Sequence, residues 1–304
     1  DPRRLLDPDA DDSLPAAERA RRERMREGAG GITAYATDTD VRVVAFALAG
    51  RLFVGGLLSA AARELEVPGP VFDPRPDPTA TSVAYVSGAE LRVAGLDGTV
   101  RTVAAPDDGE EGAVSWGSAD FVAAEEMHRF RGFWWRPDGA ALAACRVDVT
   151  HVEQWHISDP AHPGRPPHTV RYPAAGTANP DVSLHVLGLD GSRVDVQWDR
   201  AALPYLADVR WLDTERLLLT VQSRNQRTLV VLEADSATGR TTERFVDHDD
   251  AWVELVPGSP CATPDGRLVV AADRDGARRV LVDGTSVTPP ALQVRNIVSC
   301  DATG

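Results

Sequence analysis

From residue 31 onward, short runs of β-branched and apolar residues are cut again and again by Asp-Gly dipeptides: Asp97-Gly98, Asp138-Gly139, Asp190-Gly191, Asp265-Gly266, Asp275-Gly276 and Asp283-Gly284. Asp-Gly accepts the positive φ of a type I′ turn, which joins neighbouring antiparallel strands. No stretch between these turns reads as an amphipathic helix of useful length. The pattern predicts an all-β body, with strands near 41–48, 51–57, 83–86, 91–95, 142–147, 182–188, 193–198, 217–222, 228–233 and 268–272.

Residues 1–30 read as a separate lead-in, an acidic run from Asp7 to Asp12 followed by an Arg/Glu-rich stretch that ends at Gly28. Ser13 is placed to cap a helix, Pro15 suits its first turn, and Gly28 suits a left-handed end. Arg19 with Glu23 and Glu18 with Arg22 stand one turn apart, as on a solvated surface helix.

A weak repeat overlies the strand rhythm in 31–304. Phe72-Asp73-Pro74, Trp135-Arg136-Pro137-Asp138-Gly139, Trp211-Leu212-Asp213 and Ala262-Thr263-Pro264-Asp265-Gly266 are each followed by an apolar strand. An aromatic, a turn and a strand recurring at unequal intervals is the text of a β-propeller with blades of different insertions. At about 40–50 residues per blade, the chain holds five or six blades of four antiparallel strands, an incomplete set. A β-sandwich array is the competing architecture. The tryptophans at strand starts, Trp134, Trp135, Trp198, Trp211 and Trp252, are expected between packed sheets.

Composition narrows the function. With 46 acidic against 32 basic residues, a net charge of −14, phosphate backbones and anionic membrane surfaces are repelled, so neither nucleic acid nor membrane is an expected partner. Every basic residue is Arg, which excludes Schiff-base and P-loop lysine chemistry. Cys145, Cys261 and Cys300 form no CxxC pair, so at most one disulfide is available. His151, His156, His162 and His168 lie in a proline-rich insertion at spacings unlike a zinc site, and Cys145 reads as a small buried apolar residue. No metal or cofactor is expected. The apolar stretch 41–62 is too interrupted to cross a membrane. With no signal segment visible, a cytoplasmic location is expected, although an Asp at residue 1 implies a longer natural product.

The stretch from Trp116 to Gly139 carries the chemistry. Glu125 and Glu126 are adjacent, so on a strand they point to opposite faces, whereas in a helical turn they lie about 100° apart and can converge. Two converging carboxylates favour a bound cation, and an ammonium with three donors suits them. His128 stands close enough to tune such a site, though a solvent-facing histidine is the simpler expectation.

The run Ala-Glu-Glu-Met-x-Arg-x-x-Gly-x-Trp-Trp-x-Pro-Asp-Gly resembles the amino-terminal propeller of the dipeptidyl peptidase IV family of prolyl oligopeptidase-like serine peptidases. Arg171-Tyr172-Pro173 through Asn179-Pro180 and an ordered block from Gln197-Trp198-Asp199 to Trp252-Val253 agree with it. The resemblance implies that Glu125 and Glu126 hold the free N-terminal ammonium of a peptide substrate, which measures off a dipeptide of the Xaa-Pro type. It implies an arginine upstream that holds a substrate carbonyl, for which Arg63 is the nearest candidate. It also implies a C-terminal α/β-hydrolase domain of the same polypeptide and pairing into a homodimer.

No serine here has glycine at both −2 and +2, and no strand–helix alternation follows residue 264, so the catalytic triad is absent from this chain. The chain alone is expected to hydrolyse nothing. The alternatives are a stand-alone propeller that docks protein partners and a family member that has lost activity.

Overall fold

A computed structural model describes residues 5, 14–28, 31–56 and 61–300. Two compact units share the chain, Asp1–Arg193 and Val194–Gly304. The first opens with helix α1 (Ala16–Met25), whose N-cap is Pro15 and whose left-handed end is Arg26 at φ 53° rather than Gly28. Ser13 and the acidic run lie outside the described residues. The Arg22–Glu18 pair forms at 2.7 Å, whereas Arg19 donates to the Leu14 carbonyl.

Three antiparallel sheets follow in that unit. The first runs β1 (Ala36–Thr37), β2 (Val43–Leu48), β3 (Arg51–Gly56), β4 (Ala61–Leu65). The second runs β5 (Val71–Pro76), β6 (Ser82–Ser87), β7 (Glu90–Gly95), β8 (Val100–Ala104). Next come β9 (Val114–Trp116), helix α2 (Phe121–Glu126), β10 (Phe133–Trp135), β11 (Ala141–Asp148), a separate hairpin of β12 (Gln154–Ile157) and β13 (His168–Arg171), then β14 (Asp181–Gly188). The unit boundary falls inside β15 (Arg193–Val196). The second unit contains one sheet of β16 (Tyr205–Trp211), β17 (Arg216–Gln222), β18 (Thr228–Asp235) and β19 (Thr241–His248). Its other sheet is β20 (Cys261–Ala262), β21 (Leu268–Arg274), β22 (Ala277–Val282) and β23 (Thr285–Ser286).

Spatial order follows chain order in these sheets, without the crossovers of a Greek-key sandwich. They are propeller blades, five among the described residues. Their packing explains the apolar text. In β6, Val83 and Tyr85 join the core shared with the first sheet, while Ala84 and Val86 join the core shared with the third. Successive side chains point to opposite faces, so a strand covered on both sides must be apolar at every position. In the second unit Leu218, Val231, Val270 and Leu281 form the equivalent core.

The six Asp-Gly turns divide. Asp275-Gly276 and Asp283-Gly284 have positive φ at both residues, as type I′ requires. In the other four only the glycine is positive. At Asp97, Asp138 and Asp190 the carboxylate instead accepts the backbone N–H two residues on. Trp252 also departs from expectation: it is 60% exposed and its indole donates to Glu254. Trp134 is buried, and Trp135, Trp198 and Trp211 are half-buried.

Candidate functional site

The third sheet builds the site by interrupting one strand. On β11, Ala144 to Leu142 pair with β10, and Asp148 to Arg146 pair with β9 on the same edge. Cys145, between them, donates its N–H to the Gly132 carbonyl and accepts from Gly117. β9 and β10 are thus two halves of one strand, and residues 118–131 are an excursion that leaves and returns at a single point.

Glycine makes that point possible. Gly117 has φ +75°, and a Cβ on Gly132 would stand inside the backbone of Ser118. Inside the excursion, the Asp120 side chain caps α2 by accepting from Ala123 N–H. Arg129 donates to Asp120 at 2.7 Å and to the Arg131 carbonyl, and both members of the ion pair are buried. His128, exposed at φ 54°, follows the last helical turn, and Arg129 N–H closes back on the Ala123 carbonyl. Val122, Ala123, Ala124 and Met127 are buried beneath the helix.

Glu125 and Glu126 therefore stand on the outer face of a short helix held by its own core, both exposed. The helical turn that convergence requires is present. Glu125 Oε1 accepts from Arg24 Nε of α1 at 2.7 Å, and the same guanidinium lies 5.3 Å from the centroid of the Phe121 ring. Glu126 has no polar partner among the described residues. An aromatic wall continues from Phe121 to Tyr172, centroids 5.2 Å apart, and from Tyr172 to Trp155, 5.1 Å apart, at the base of the β12–β13 hairpin. The site combines two surface carboxylates, one guanidinium and three rings.

Arg63 sits on β4, an edge strand of the first sheet, and donates to the Leu96 carbonyl. No described contact joins it to Glu125 or Glu126; the arginine that reaches the pair is Arg24, 101 positions away in sequence. No local signal distinguishes Arg24 from the other arginines of α1, and only packing selects it. His151, His156, His162 and His168 do not converge. His156 meets Thr169 and His162 meets Asp159, and among the described residues no group of three or more His, Cys, Asp or Glu is arranged for a metal ion. Burial pushes the Cys145 thiol up to about 11, which leaves it protonated and unreactive.

The sequence model of the dipeptidyl peptidase IV N-terminal region matches residues 36–301. The chain belongs to this family. It is similar to dipeptidyl peptidase 4 of Felis catus, 30% identical over 221 residues that cover 62% of this chain and 29% of that protein. It is also similar to the inactive dipeptidyl peptidase 10 of Rattus norvegicus, 28% identical over 167 residues covering 52% of this chain and 21% of that one. Among solved structures, Porphyromonas gingivalis dipeptidyl peptidase 4 superposes with a TM-score of 0.72 at 20% identity, over 93% of this chain and 43% of that one. That likeness carries the propeller fold. The chain spans less than a third of the length of these two curated relatives.

Proposed function

We propose that this chain is the substrate-recognition and gating propeller of a serine-type dipeptidyl peptidase that releases Xaa-Pro dipeptides, and that Glu125 and Glu126 hold the free N-terminal ammonium of the peptide. The observation that carries the reading is α2 itself. It breaks an otherwise continuous strand only to present two carboxylates on a clamped helix. Glu126 and the second oxygen of Glu125 are open to an ammonium's three donors. Arg24, already bonded to Glu125, takes the role that the resemblance assigned to Arg63, donating to a carbonyl of the peptide. The phenyl and phenol faces of Phe121 and Tyr172 supply an apolar wall for the side chains. Acyl transfer itself belongs to a C-terminal α/β-hydrolase domain of the same polypeptide. Pairing of two copies has in its favour the exposed β12–β13 hairpin, whose Trp155 and Ile157 are 45% and 53% exposed.

The test uses the full-length protein. Glu125→Gln and Glu126→Gln each remove a charge-assisted bond of about 1.5–3 kcal/mol, which corresponds to roughly a 10- to 150-fold loss in kcat/KM on Xaa-Pro substrates. Wild-type turnover in both variants would overturn the amine site. The likeness to inactive dipeptidyl peptidase 10 favours a second reading, in which the same site binds peptides without turnover. A full-length protein that binds an Xaa-Pro peptide in a Glu126-dependent manner and releases no dipeptide would establish it.

A further inference from the structure

The last fourteen described residues, 287–300, form no strand, yet they are laid along the fifth sheet by a series of bonds. Val287 N–H donates to the Val280 carbonyl, Val280 N–H to Thr288 Oγ1, Arg278 N–H to Gln293 Oε1, and Val294 N–H to the Arg278 carbonyl. Ile297 N–H then reaches the Pro257 carbonyl at 2.9 Å. At that crossing a Cβ on Gly258 would stand inside the Ile297 backbone. These contacts owe nothing to sulfur, and they deliver Cys300 to Cys261, which is buried on β20. The two Cα atoms lie 6.4 Å apart and the sulfurs are bonded, a separation within the ordinary disulfide range.

We propose that Cys261–Cys300 is a native disulfide that clamps segment 287–300 onto the first strand of the fifth sheet, and that the protein folds in an oxidising compartment. This departs from the cytoplasmic expectation, because stable disulfides persist where thiols are not kept reduced. The bond forms by thiol–disulfide exchange with a disulfide oxidant. One cysteine thiolate attacks the oxidant and gives a mixed disulfide, and the second thiolate displaces it. Each displacement releases one sulfur of the oxidant as a thiolate, so two electrons and the two cysteine protons leave as two thiols, two molecules of glutathione when the oxidant is glutathione disulfide. Cys145 takes no part: it is buried on β11 with its thiol protonated.

Peptide mapping tests the proposal without depending on how any variant folds. Protein folded with glutathione disulfide is denatured in the presence of a maleimide at mildly acidic pH and digested with trypsin. The expected product is one crosslinked species made of residues 245–267 and the tryptic peptide that starts at Asn296 and carries Cys300, which separates into its two parts on reduction, with maleimide on Cys145 and on neither Cys261 nor Cys300. Maleimide on Cys261 or Cys300 in the unreduced sample, or a bridge to Cys145, would overturn the disulfide. The clamp is read separately by amide exchange at Val294 and Ile297, expected to be slow in the oxidised protein and at least tenfold faster after reduction or in Cys300→Ser. Unchanged exchange would leave the bond without the clamping role and sink that part of the proposal.

Discussion

Arg129 shows how one residue can position another that it never touches. Its guanidinium is buried against Asp120, which caps α2, and α2 carries Glu125 and Glu126. Arg129→Met leaves the Asp120 carboxylate buried without its partner, a change that costs about 3–5 kcal/mol. Chemical denaturation should show that loss, and the double variant with Asp120→Asn should recover most of it, because the uncompensated charge is then gone. Of this site, the adjacent acidic pair was legible from residue order, and so was the condition that only a helical turn lets the two side chains converge; that a helix forms there was not. Gly117 and Gly132 were also visible as letters. Their meaning was not, because a glycine required by close approach looks the same in sequence as one in a flexible loop. That Arg24 meets Glu125 was invisible for the same class of reason: Arg24 is one of several arginines on a polar stretch, and only packing brings it within 2.7 Å of Glu125.

At the scale of elements, the turns that organise the sheets also set the response to acid. Hydrogen bonds from the Thr99 backbone and hydroxyl hold the Asp97 carboxyl below its ordinary value, and the Ser192 and Thr238 hydroxyls and amides do the same for Asp190 and Asp235. Arg136 lowers Asp138. A carboxylate whose folded pKa is depressed contributes stability above its unfolded pKa and loses it as pH falls through the folded value. The melting temperature is therefore expected to hold from pH 7 to about 5 and to fall below about pH 4, steeply because many turns protonate together. Thermal melts across that range check it; a melting temperature unchanged at pH 3 would contradict the role of these turns. Replacing Thr99 and Ser192 by Ala should make the acid transition begin at higher pH. The Asp-Gly letters located the hairpins correctly. They did not discriminate the two-residue type I′ turns from those in which Asp accepts from a neighbour, because both satisfy the same pair of residues.

For the whole molecule, the family assignment rests on a match over residues 36–301 and the propeller fold on a superposition covering 93% of the chain, while no serine in these 304 residues has glycine at both −2 and +2. Purified chain is expected to release no product from a chromogenic Xaa-Pro substrate, and measurable, serine-inhibitor-sensitive release would contradict the proposed division of labour. The all-β class, the blade-like rhythm and the tight turns were set by the sequence alone, because each follows from rules that act over a few residues: side-chain alternation and turn conformation. Tertiary structure decided that Arg24 meets Glu125, that Asp120 and Arg129 are buried together, and that Cys261 faces Cys300 across a separation of 39 residues. Contacts of that reach depend on how whole sheets and segments stack, and the energy that selects them is spread over cores such as those flanking β6, where no single residue announces its partner.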